Sequence, residues 1–125
     1  MALEQSEYLM VKRIRGKGRG VVARKPIPAD TVIERAPVLV IPDSEIDESM
    51  LVNYVYHWGR ETVALALGYG SLYNHSYKPN ARYEDVGVQT KVFKSIRDIA
   101  AGEEITINYH GDPDADGQVH FDVVE

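Results

Sequence analysis

A mainly β fold in one domain is what this chain of 125 residues predicts. Three observations lead there. Short runs rich in β-branched and aromatic residues recur along the chain, glycines and prolines punctuate them closely, and no apolar stripe of helical period lasts four turns. A chain of this length has room for one core. The expected organisation is a single domain over 1–125, with its motifs within about 8–111 and a tail over 112–125.

The elements follow in order. Tyr8 to Ile14 and Arg19 to Arg24 read as strands joined by a tight turn through Gly16 and Gly18. Lys25-Pro-Ile-Pro-Ala-Asp30 is turn material, because two prolines withhold backbone donors. Thr31 to Ile41 resumes as a strand broken once by Pro37. Asp43 or Ser44 is placed to cap a short helix running to Met50, with acids in its first turn. Leu51 to Trp58 and Thr62 to Leu67 are apolar and ambiguous between strand and helix. Asn80 to Glu84, Val88 to Ile96 and Glu104 to Tyr109 alternate as strands do, with a turn at Asp98 to Gly102. A loop from His110 and a short apolar end over Val119 to Val124 close the chain. Without long helices, a parallel βαβ nucleotide fold is not expected.

Composition removes several function classes. Hydrophobic residues at 44% and charged residues at 26% describe a globular chain rather than a disordered one. The absence of cysteine excludes disulfides, thiolate zinc sites, iron–sulfur clusters and a cysteine nucleophile. The start, MALEQSEYLMVKRIR, shows no secretory pattern, and no stretch approaches a membrane span. The expectation is a soluble protein inside the cell, in cytoplasm or nucleus, with no membrane contact. Net charge is −5, yet Lys12 to Lys25 carry seven cations and no acid, while Asp43 to Glu48 and Asp112 to Asp122 are acidic. Net acidity disfavours nucleic acid as a partner and suits a basic peptide. Charges that merely solvate the surface would look the same.

Three segments have the density of polar groups that chemistry needs. In Gly16-Lys17-Gly18-Arg19-Gly20 the backbone can turn sharply and approach a ligand with no Cβ in the way. It lacks the Gly-Lys-Ser/Thr ending of a P-loop and leads into a strand, unlike a dinucleotide fingerprint. A plain hairpin turn fits it too. Gly70-Ser-Leu-Tyr-Asn74-His75-Ser76-Tyr77-Lys-Pro79-Asn80 sets several hydrogen-bonding side chains between apolar runs, as an Asx-rich loop also would. Gly102-Glu-Glu-Ile-Thr-Ile-Asn-Tyr109 ends a strand on a phenol, either a half-buried core residue or a group beside a reacting centre. Asp112-Pro-Asp-Ala-Asp-Gly117 opens like a calcium loop, but Val123 stands where the twelfth-position Glu would be. The histidines at 57, 75, 110 and 120 lack metal-ligand spacing, so no metal is expected.

Taken jointly and in this order, the three segments resemble the SET-domain family of protein-lysine methyltransferases. Gly18-Arg19-Gly20 with Val21-Val22-Ala23 resembles its glycine motif, Asn74-His75-Ser76 with Pro79-Asn80 its Asn-His-Ser motif, and Gly102 to Tyr109 its closing motif. The middle, from Ala66-Leu67-Gly68-Tyr69-Gly70 onward, is most similar to minimal viral and bacterial members. The resemblance implies several small curved β-sheets with short helices and a knot-like threading of the C-terminal segment. It implies S-adenosylmethionine as cofactor, held by Lys17, Gly18, Arg19, Asn74 and His75. It implies Tyr109 as the catalytic tyrosine, Tyr54 lining the substrate lysine channel, and Ile107 facing that channel. A small aliphatic residue at 107 would leave room for a second or third methyl. The implied partner is a protein or peptide presenting lysine, such as a basic histone or histone-like segment; a homodimer stays open.

Two departures from the pattern matter. Many relatives carry a cysteine after Asn-His-Ser that joins a zinc module; here Tyr77 stands there, and Phe121 is the tail aromatic left to close the site. Recognition domains like those that flank larger relatives are not expected, so substrate choice would rest on the domain's own groove. The alternative is a catalytically idle SET-like module that binds peptides, against which the joint retention of Tyr109, Asn74 and the glycine motif argues.

Overall fold

A computed structural model describes residues 5–87, 89–119, 123 and 125. Among the described residues nine strands form two curled sheets. β1 (Leu9–Ile14) and β2 (Gly18–Ala23) make a hairpin with Leu9 opposite Ala23 and Ile14 opposite Gly18. Its turn closes through Lys17 N–H donating to Ile14 O at 3.0 Å, with Gly16 and Gly18 at φ +81° and +79°. A side chain would strain both positions.

The second sheet is built on β3 (Val32–Pro42), with β4 (Val55–His57), β5 (Thr62–Ala66), β7 (Ala81–Val86) and β8 (Thr90–Ser95) in the order β4-β5-β3-β8-β7. β3 changes partner halfway along. Val32 to Pro37 pair with β8 and Val38 to Pro42 pair with β5. Pro37, expected to break the strand, lies at that hand-over, where the carbonyl is used by Leu67 N–H at 2.9 Å. The strand therefore runs through it.

The expected helix from Asp43 to Met50 is two separate 3-10 turns, Asp43–Glu45 and Met50–Asn53, the second capped by Ser49 Oγ accepting from Leu51 N–H at 2.9 Å. Ile46 N–H to Asp43 O and Ser49 N–H to Ile46 O are three-residue bonds. The run is too short to repay nucleation of an α-helix. The ambiguous 51–58 segment ends as strand β4 because it pairs with β5, Val55 opposite Leu65.

The first sheet is completed by β6 (Asn74–His75) and β9 (Glu104–Ile107) in the order β1-β2-β9-β6. β9 lies antiparallel to β2, Val21 opposite Ile105, and parallel to β6, Asn74 opposite Thr106 and His75 opposite Ile107. Insertion of β9 between two strands that precede it in sequence joins the three motifs, whatever the threading of the C-terminal segment. The core beneath is Leu9, Val21, Ile27, Ile33, Tyr73, Phe93, Ile99, Ile105 and Ile107, with Tyr73 and Phe93 stacked at 4.5 Å. No helix among the described residues is long and apolar enough to cross a membrane.

Candidate active site

The site forms where β6 and β9 run side by side. Asn80, almost wholly buried, staples the second motif to β9: its Oδ1 accepts from Thr106 N–H at 2.9 Å and its Nδ2 donates to Glu104 O at 2.8 Å. An uncapped β9 edge would leave that amide without a partner, so the asparagine fixes register.

Tyr109, just past β9, is held at three points. Its N–H donates to His75 Nδ1 at 2.9 Å, its carbonyl accepts from Tyr83 OH at 3.0 Å, and its hydroxyl donates to Tyr73 O at 2.6 Å. Burial, then the charge of Glu104 and the neighbouring Tyr54, push the Tyr109 phenol up to about 12, so it stays protonated at neutral pH. For His75, burial first and the nearby His110 second hold the imidazole below its ordinary value, with Glu125 opposing. A neutral ring that accepts at Nδ1 carries its proton on Nε2.

Beside Tyr109 opens a cavity of about 100 Å³ lined by Tyr54, Tyr56, Tyr73 and Tyr109 with the Val52–Asn53 rim, Val55, His57 and Ser71. Tyr54 and Tyr109 both line this cavity. Ile107 does not. It is fully buried in the core opposite His75, and its carbonyl accepts from Ser76 N–H at 2.9 Å. Strand alternation accounts for this: residues 107 and 109 share a face only while the strand stays regular, and β9 ends at Ile107.

The glycine motif meets the second motif at Glu104. Its carboxylate takes Lys17 Nζ at 2.8 Å on Oε1 and Asn74 Nδ2 at 2.7 Å on Oε2, while Asn74 Nδ2 also donates to Arg19 O at 2.9 Å. Gly20 is packed against this junction. A Cβ there would lie 2.7 Å from Asn74 Nδ2 and from Glu104 Oε2, and 2.8 Å from Ile14 Cγ1. At Gly18 a Cβ would meet nothing within 4 Å, and an open groove of about 540 Å³ runs along Arg13 to Gly16 and Gly18. Bare backbone at Gly18 leaves that groove open for a ligand to approach. The structure thus brings Lys17, Gly18, Arg19 and Asn74 to one corner and His75, Tyr109 and Tyr54 to the next.

Sequence reasoning missed four residues of this site. Tyr56 lines the cavity and donates to Gly70 O at 2.6 Å. The strand period from Tyr54 was the signal that could have found it. Tyr73 and Glu34 form a buried pair at 2.8 Å; Glu34, its carboxyl pushed up by burial against the opposing hydrogen bonds, also accepts from Tyr69 N–H at 2.7 Å. Glu104 sat inside a quoted motif with no role attached to it. Part of the tail folds back here, Tyr77 OH donating to Gly117 O at 3.1 Å and Asn108 Nδ2 to Ala115 O at 2.7 Å. Phe121, expected to close the site, lies outside the described residues.

Comparison with known proteins agrees with the fold and the family resemblance. The SET-domain family model matches residues 18–110. A histone-lysine N-methyltransferase of Schizosaccharomyces pombe, H3 lysine-37 specific, is 36% identical over 106 residues, covering 81% of this chain and 72% of the yeast protein. A crystal structure from Plasmodium falciparum, of a protein described as a histone methyltransferase, superposes with a TM-score of 0.73 at 30% identity, covering 86% of this chain and 95% of that one. The chain belongs to the SET-domain family of protein-lysine methyltransferases.

Proposed function

We propose that the protein transfers a methyl group from S-adenosylmethionine to a lysine side chain in a basic, histone-like protein segment, in the nucleus or cytoplasm. The observation that carries this reading is the parallel pairing of β6 with β9, which sets His75 against Tyr109, a wall of the tyrosine-lined cavity, with Asn74 next to it in the strand. The relative's histone substrate and the acidic run Asp43 to Glu48 ahead of the cavity rim favour a basic segment. Nothing in the site calls for nucleic acid or a membrane.

S-adenosylmethionine, when bound, supplies an electrophilic methyl on a sulfonium. Lys17, Gly18 and Arg19 would hold it through backbone groups, with Asn74 and His75 completing the site. The cavity orients the incoming lysine so that its nitrogen is aligned for in-line displacement. That nitrogen must be neutral, whereas lysine in water has a pKa of about 10.4. Desolvation between tyrosine walls disfavours the ammonium. Tyr109, its proton committed to Tyr73 O, acts at the cavity as an acceptor for polarised C–H groups and not as a base.

The test is incubation with labelled donor and core histones, followed by mass spectrometry of the labelled protein. Lysine methylation that Tyr109→Phe abolishes is the expected result. Donor binding and peptide binding with no transfer under any condition would leave only the idle peptide-binding module.

A further inference from the structure

Lys91 on β8 is the only fully buried lysine among the described residues, and the mechanism above does not use it. Its Nζ lies 2.6 Å from Asp85 Oδ1, 4.2 Å from the centre of the Tyr83 ring, 4.3 Å from that of Tyr56 and 5.6 Å from that of Trp58. Burying an ammonium is costly, and an apolar residue of similar length would pack there at less expense. The cage around it is not separate from the active site. Tyr56 is a wall of the cavity, Tyr83 holds the Tyr109 carbonyl, and the Tyr56 and Tyr83 rings meet edge-on at 5.0 Å.

A cavity walled by tyrosines has a chemical difficulty. Desolvation there disfavours the ammonium, but any phenol ring face turned to a target lysine attracts its charged, non-nucleophilic form and offsets part of that penalty. Lys91 already lies over Tyr56 and Tyr83 without lining the cavity, and a second cation entering beside Tyr56 is repelled by it. Asp85 offsets this only in part, because its side chain is 47% exposed and screened by water, whereas that of Lys91 is 1% exposed. Resting on the methyl-transfer reading, we infer that Lys91 is a positioning residue: its caged ammonium behind the Tyr56 wall disfavours the protonated target lysine and keeps the cavity for the neutral amine.

The other charged or titratable groups around the cage and cavity do not replace it. Glu34 on β3 is engaged by Tyr73 OH and Tyr69 N–H, and Glu104 by Lys17 and Asn74. His57 on β4 is exposed at the rim. Arg35 and Glu84 stand opposite Val92, one residue along, and so point to the other face of the sheet.

The test is an NMR titration of an H3 peptide centred on lysine 37 and labelled at that lysine's Cε, bound to the protein with S-adenosylhomocysteine. It reads the pKa of the bound amine without turnover. Lys91→Met should raise that pKa by about half to one unit, and the single-turnover rate at saturating substrates should rise at correspondingly higher pH. Lys91→Arg should titrate as the parent does, and Asp85→Asn should shift the pKa the opposite way. A bound signal that titrates identically in the parent and Lys91→Met overturns the role. Should Lys91→Met fail to fold, an unshifted Asp85→Asn overturns it instead. If the parent gives no bound signal, the histone-peptide reading has failed, and this inference with it.

Discussion

One oxygen separates tyrosine from phenylalanine at 109, and the fold loses little else with it. Tyr109→Phe removes the donor to Tyr73 O and is expected to cost about 1 kcal/mol of stability, measurable as a small fall in Tm. Turnover should fall by roughly 100-fold or more, since a positioned group at the reacting centre is lost. A variant that methylates at the parent rate would remove Tyr109 from the mechanism. Asn74→Ala acts differently: it releases Arg19 O and Glu104 and should weaken donor binding about tenfold in calorimetry, with methylation recovered at high donor concentration. At Ile107 the packing leaves no room for an aromatic side chain. Ile107→Tyr should therefore destabilise the protein by roughly 1–3 kcal/mol. Ile107 does not line the cavity, so its size gives no ground for the number of methyl groups added, which mass spectrometry of exhaustive reactions reads directly.

At the scale of elements, the first sheet depends on the closeness of β2, β6 and β9 around Gly20. Gly20→Ala places a methyl on Asn74 and Glu104 at less than contact distance. The expected outcome is a loss of about 1–3 kcal/mol together with weakened donor binding. Gly18→Ala makes the contrast. Its φ is positive but its Cβ meets nothing, so a loss of about 1 kcal/mol is expected without a clash. Equal effects of the two on denaturation and on donor affinity would show that crowding at the junction is not what matters. The hairpin turn, the Asn-rich segment and the closing strand were legible in sequence, because their glycines and alternating residues act locally. That Pro37 lies inside a strand was not, since its tolerance comes from β3 exchanging β8 for β5 at that point.

For the whole molecule, the concentration of buried phenols sets an alkaline limit. Burial first, and then neighbouring charges, raise Tyr56 and Tyr73 well above 10.0 and bring Tyr83 and Tyr109 to about 12. In the unfolded chain these phenols ionise near 10.0. Their stabilising contribution is therefore complete below pH 10 and is lost as pH rises through 10 towards 12. For the fully buried Tyr56 and Tyr73 the loss approaches about 1.4 kcal/mol per group per pH unit. Denaturant midpoints should be flat to pH 9.5 and fall steeply above 10, with tyrosinate absorbance from these four rings appearing only as the protein unfolds. Their ionisation within a folded protein at pH 10.5 would contradict the burial.

The sequence by itself determined the mainly β class, the three motifs and their order, the absence of thiolate chemistry, and Tyr109 as the residue to watch. These follow from backbone preferences and residue identity, which are properties of a few neighbouring positions. Tertiary structure alone decided that Ile107 fills the core while Tyr56 and Tyr73 wall the cavity. It also decided that Glu104 ties Lys17 to Asn74, and that Lys91 is caged behind Tyr56. Such roles depend on which strands pair and which faces close, through contacts such as Lys17 to Glu104 that span 87 positions. No local pattern encodes a partner that far away, because the contact exists only once β9 has entered between β2 and β6.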